Sequence, residues 1–203
     1  MIEAIIFDFG NIFVNIDPDK TFDALKKLGL KEWNTDLDAL NDLYEKGKIE
    51  ENDYLKGIQK FVPNASLPEI KKAWNSLVLD FPEERLDFLQ ILTDKYKLFL
   101  LSNADKTHIE RFEYLHGESF ARDFYSCFEK VYFSFEFGFR KPDISAFQFI
   151  MNMHHLNPKK TLFVDDTLQN IEGAEKLGLL TWHLNPATQD VTHLPQLFKS
   201  LHA

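Results

Sequence analysis

Residues 5–11 read IIFDFGN: three apolar side chains, then Asp8, Phe9, Gly10 and Asn11. A short apolar run that ends on a carboxylate marks the carboxyl end of a buried strand, so Asp8 is expected at a strand end. Four more runs have the same character, at residues 97–101, 130–134, 161–164 and 180–183, and the first extends over 2–7. They are rich in Ile, Leu, Phe and Val and do not alternate with polar residues, as strands covered on both faces do not. Helical patterns separate them at 83–95, 105–116, 143–156 and 168–177, the last stopping at Gly178. Strand alternating with helix predicts an α/β fold, a doubly wound, Rossmann-like parallel sheet with right-handed crossovers.

Between the first strand and Lys97 the alternation breaks. Helical patterns start at Asp17-Pro18 and run to Gly29, then cover 35–46 and 51–61, and a fourth opens on the capping-box sequence Ser66-Leu67-Pro68-Glu69. The expected organisation is a core of residues 1–14 and 82–203 with an α-helical insert, 15–81, over the sheet edge.

The chain has 203 residues, 44% of them hydrophobic and 20 of them Phe, enough for a sizeable core. A net charge of -9 argues against nucleic acid as the main partner. The single cysteine, Cys127, allows no internal disulfide, which fits a reducing compartment. With no long apolar stretch, a soluble, cytoplasmic, monomeric protein with no membrane partner is expected.

Ligands of open parallel sheets bind beyond the carboxyl ends of the strands. There the sequence places Asp8, then Ser102 and Asn103, then a loop with Arg140, Lys141, Pro142 and Asp143, then Asp165 and Asp166. Each alone has an ordinary reading as a turn former or helix cap. Together, on one sheet edge, they bring carboxylates, a hydroxyl and a lysine into one place.

At this point the chain resembles the haloacid dehalogenase (HAD) superfamily. The matching stretches are IIFDFGN, LFLLSN, FRKPD and LFVDDTLQN, in that order from Ile5 to Asn170, and the helical insert resembles a C1-type cap. The combination of DFGN, RKPD and VDDTLQN is similar to the branch of glucose-1-phosphate phosphatases and the phosphatase domain of epoxide hydrolase. The resemblance implies a Mg²⁺-dependent phosphatase acting on a small phosphorylated metabolite, a sugar phosphate, through an aspartyl-phosphate. It makes Asp8 the nucleophile, Ser102 and Lys141 the phosphate-binding residues, and Asp8, the Gly10 carbonyl and Asp166 metal ligands. Asp165 is implied as a direct or water-mediated ligand. Asn103, for the substrate, and Asn170 are weaker candidates that match motif positions, and either could simply order its loop.

Gly10 departs from the family pattern, which has an aspartate there as general acid and base. Such assistance is typically worth about 10²–10⁴-fold in rate. A leaving group that needs little protonation, or a cap side chain or water that stands in, is then required. His108 is one candidate, although its ordinary reading is a surface helix residue. Asn15 is expected to hydrogen-bond locally. Tyr44, Glu45 and Lys48 flank or neighbour Gly47 in the insert, within possible reach of substrate. The phenylalanines between 133 and 139 are expected to pack beneath the lysine loop. Two rival readings stay open: a non-catalytic phosphate-ligand-binding or regulatory protein, and a metal-independent 2-haloacid dehalogenase.

Overall fold

The computed structural model describes residues 2–201. Five parallel strands form one sheet: β1 (Ala4–Phe7), β2 (Lys97–Ser102), β3 (Lys130–Phe133), β4 (Thr161–Asp165) and β5 (Leu180–His183), in the order β3-β2-β1-β4-β5. Alternation along the strands explains their unbroken apolar composition. Ile5, Phe7, Leu98, Leu100, Leu162 and Val164 enter one hydrophobic cluster, while Ala4, Ile6, Phe99, Leu101 and Phe163 enter another on the opposite face. Both faces are covered, so neither set can be polar.

After β1 the chain builds outward to β2 and β3, then returns to add β4 on the other flank of β1. The order therefore reverses between β1 and β4, where such sheets open a crevice. Phe7 pairs with both Leu100 and Val164, so Asp8 and Asp165 emerge side by side at that point.

The insert carries α1 (Pro18–Lys27), α2 (Thr35–Glu45), α3 (Glu51–Gln59) and α4 (Leu67–Trp74). These helices pack around a third cluster of their own, including Leu25, Leu37, Tyr54, Ile58 and Ile70. Asp17 caps α1 by accepting from the Asp19 N–H, and the Ser66 N–H donates to Glu69 at 2.8 Å at the start of α4. The two chain segments that join the insert to the sheet run antiparallel. The Asn15 N–H donates to the Asp80 carbonyl at 2.8 Å, and the Leu79 N–H to the Asn15 carbonyl at 3.0 Å. Arg85 secures this neck, donating to the Phe13 carbonyl, Asn15 Oδ1 and Asp190. Asn15 thus bonds locally, to Asp80 and Arg85.

The remaining helices are α5 (Glu83–Thr93), α6 (Lys106–His116), α7 (Glu118–Ser126), α8 (Ser134–Phe137), α9 (Ile144–Met153), α10 (Leu168–Glu175) and α11 (Leu194–Leu201). Three corrections to the sequence reading matter. Ser134 opens the short helix α8 and does not end β3. Ser102 and Asp165 are the last residues of their strands, not the first of the loops. Helix α7 follows α6 after Gly117, whose φ of +86° makes the turn between them.

Candidate active site

A cavity of about 420 Å³ lies between the strand ends and the insert. Its lining includes Asp8, Gly10, Ser102, Lys141 and Asp166. At its floor Lys141 is 1% exposed, with Nζ 2.7 Å from Asp8 Oδ1 and 2.6 Å from Asp165 Oδ2. Burial alone would drive the ammonium toward its neutral form, but the two carboxylates more than reverse this and hold it above its ordinary pKa. For Asp8, burial dominates. With Asp165 and Asp166 adding repulsion it rises to about 7, despite the lysine.

Residues around this pair hold it in place. Asn103 clasps the backbone of Lys141, accepting from its N–H and donating to its carbonyl, both at 2.8 Å. Both ends of the amide are committed, so the side chain of Asn103 positions the lysine. Asn103 also lines the cavity. Asp165 is equally engaged: beyond Lys141, its oxygens accept from the Thr167 N–H and from Asn170 Nδ2. These bonds fix its orientation toward Lys141. Asn170 serves Asp165. The Ser102 hydroxyl, by contrast, lines the cavity and has no hydrogen-bond partner among the described residues.

Carboxylate oxygens of Asp8, Asp165 and Asp166 lie within 4.8 Å of one another, close enough to share one cation. An all-oxygen donor set suits a hard dication such as Mg²⁺. Asn11, the last residue of IIFDFGN, has a role here that its sequence context does not announce. Its Nδ2 donates to Asp166 Oδ2 at 2.8 Å, while its Oδ1 accepts from the Ile16 N–H at 3.2 Å. The residue sits at φ +57°, a left-handed conformation that asparagine tolerates better than most side chains. Only the positive φ and two contacts at unrelated positions define this role, and neither is visible in a linear motif.

His108 is not a surface residue. Its Nδ1 lies 2.8 Å from Asp105 Oδ2, its Nε2 lies 3.0 Å from the Trp74 carbonyl, and its ring stacks on the Trp74 indole. Both partners are acceptors, so both ring nitrogens must carry protons. Burial opposes that charge, but Asp105 prevails and raises the imidazole pKa. The ring borders the cavity with no nitrogen free for substrate.

Tyr44, Glu45 and Lys48 are not among the cavity residues. The Tyr44 hydroxyl bonds Thr107, and Glu45 pairs with Arg140. Gly47 approaches the core so closely that a Cβ there would lie 2.0 Å from the Phe135 carbonyl oxygen. Phe133 stacks on Phe135 in one hydrophobic cluster, and Phe137 and Phe149, with Phe139 against both, pack in the cluster on the opposite face of the sheet.

This sheet order, crevice and lysine-bridged carboxylate pair occur in a chain whose residues 2–178 match the family of haloacid dehalogenase-like hydrolases. The chain belongs to that family. It is 31% identical over 188 residues to D-ribitol-5-phosphate phosphatase of Bacteroides thetaiotaomicron, covering 90% of this chain and 91% of that protein. A sesquiterpene phosphatase of Aspergillus oryzae is 23% identical, with 96% of both chains covered. A HAD family enzyme from Bacteroides thetaiotaomicron, solved with magnesium and inorganic phosphate, superposes with a TM-score of 0.83 at 30% identity, over 96% of this chain and 99% of that one.

Proposed function

We propose that this protein is a Mg²⁺-dependent phosphatase of a small phosphorylated metabolite, of the sugar or polyol phosphate class, working through an aspartyl-phosphate. The observation that carries the reading is the buried Lys141 joining Asp8 to Asp165 on the floor of a cavity with an open serine hydroxyl. The chemistry follows from these side chains. Asp8 attacks phosphorus, forming an Oδ–P bond as the ester P–O bond breaks and its electron pair leaves with the alcohol oxygen. Lys141 and the Ser102 hydroxyl offer donors to the phosphoryl oxygens, favouring the charge that spreads there in the transition state. Water then attacks phosphorus, breaking the Asp8–P bond, and the phosphate product takes up the proton. Asp8, the Gly10 carbonyl and Asp166 are the residues that would hold the metal, with Asp165 behind them. Bound there, Mg²⁺ offsets the repulsion between carboxylate and phosphate.

No carboxyl stands at Gly10 to protonate the leaving oxygen, so solvent supplies that proton. Anomeric and acyl phosphates should therefore outpace simple alkyl phosphates. The comparisons support the substrate class: a relative is named a D-ribitol-5-phosphate phosphatase, and a HAD family enzyme of the same organism has been solved with magnesium and inorganic phosphate. The test is phosphate release from anomeric sugar phosphates, terminal sugar and polyol phosphates and acetyl phosphate, with Mg²⁺, with chelator and with Asp8→Asn. Turnover requiring both Mg²⁺ and Asp8 is expected. Turnover that survives Asp8→Asn would sink the proposal.

A further inference from the structure

The part of the cavity away from Lys141 has a charge pattern that the chemistry above does not use. Three cations border the cavity, and each already has a counter-ion. Lys141 is held by Asp8 and Asp165. His108 is held by Asp105. Arg140 is held by Glu45, with Asp42, whose nearer partner is Lys46 at 2.9 Å, a further 3.9 Å contact; both acids lie on α2 of the insert. Of the anions in the lining, Asp8 and Asp166 belong to the reacting end.

The other walls are neutral. Ile16, Leu77 and Val78 come from the neck of the insert, and Ile109 and Phe112 from α6. Most polar side chains of the lining are tied to other protein groups. Among the described residues only Ser102 and Gln169 have a side chain without a partner, and both are uncharged. A substrate whose phosphate meets Lys141 and Ser102 must place the rest of its body against these walls. A second charge there would lose water and gain no counter-ion.

We propose that the cavity selects phosphomonoesters whose only charge is the reacting phosphate, and that Glu45, with Asp42, sets this specificity by neutralising Arg140. The inference rests on the phosphatase reading above. It narrows the substrates to neutral bodies, such as polyols, sugars and alkyl alcohols, and excludes bisphosphates, phosphorylated acids and phosphorylated amino acids. Glu45 and Asp42 are positioning residues here. Neither borders the cavity, and each acts through its ion pair with Arg140, which does.

The experiment compares kcat/KM within pairs that differ by one charged group: sorbitol 6-phosphate with 6-phosphogluconate, glycerol 1-phosphate with 3-phosphoglycerate, and glucose 1-phosphate with glucose 1,6-bisphosphate. The neutral member should win by about thirty-fold or more, mostly through KM, as expected when a charge enters an unpaired site. In the doubly substituted protein Asp42→Asn, Glu45→Gln, Arg140 faces the cavity uncompensated. The ratio should then narrow about tenfold through the KM of the acidic member, since one freed cation is worth a charged hydrogen bond. Equal or better turnover of the acidic members by the wild type would overturn the proposal, and needs no variant. An unchanged ratio in a folded double variant would overturn the assignment of Glu45 and Asp42. Absence of Asp8-dependent turnover on every pair would instead overturn the phosphatase reading, and this inference with it.

Discussion

A Cβ built on Gly10 stands 2.7 Å from Cδ1 of Ile16. The departure from the family's pattern is thus more than a missing carboxyl, because a hydrophobic side chain from the neck of the insert occupies the adjoining space. Gly10→Asp should therefore displace Ile16 and lower stability by about 1–3 kcal/mol. Ile16→Val removes the obstructing methyl, so the double variant should be more stable than the sum of the single changes. Denaturant titration of the four proteins gives the coupling, expected at about 1 kcal/mol.

Lys141 cannot be removed without exposing its partners to each other. Lys141→Met leaves Asp8 and Asp165 buried with no cation and should cost about 3–5 kcal/mol in the metal-free protein. Adding Asp8→Asn removes one of the two negative charges and should restore part of that loss. Thermal melts without Mg²⁺ measure both.

Asn11 holds Asp166 by one hydrogen bond and the neck by another. Asn11→Ala should lower Mg²⁺ affinity about 10–100-fold, the range seen when a group orienting a metal ligand is lost. Calorimetric Mg²⁺ titration checks this without reference to turnover. Asn11→Gly keeps the left-handed backbone but loses the amide. An equal effect in both variants would assign the loss to the side chain.

The His108–Asp105 pair predicts a pH signature of stability. A raised imidazole pKa stabilises the fold fully below the ordinary value of about 6.5 and is lost as pH rises through the raised value. Asp105 is opposed by burial, but its bonds to His108 and Trp74 lower its pKa, so its contribution is lost only as the pH falls toward the acidic range. The stability gap between wild type and His108→Gln should thus be widest in mildly acidic solution and shrink above about pH 6.5. Urea midpoints at a series of pH values test it, and a gap that grows with pH would refute the pairing.

Much of the sheet edge was legible because strand-end chemistry is local. Asp8, Ser102 and the pair Asp165-Asp166 each end an apolar run, and the run itself announces the strand. Lys141 was legible only through its motif, since nothing nearby in sequence demands a buried cation. The counter-ions were hidden. Glu45 and Arg140 are 95 residues apart, and which acid faces which base depends on how the insert settles on the core. His108 was misread for the same reason, because its partner Trp74 arrives from the insert. Asn103 has the residue type of a ligand-binding side chain, and only the approach of the lysine loop shows that its amide is already engaged.

The neck brings Asn15 and Asp80 within one hydrogen bond of each other, so the insert leaves the sheet and returns to it at a single point. Its helices also keep a hydrophobic cluster of their own. A unit attached in this way can be lengthened, replaced or lost during evolution while the strand ends stay in register. The carboxylates at the strand ends belong to the sheet and not to the roof, so new substrates can be explored by exchanging one module and the few side chains that meet it.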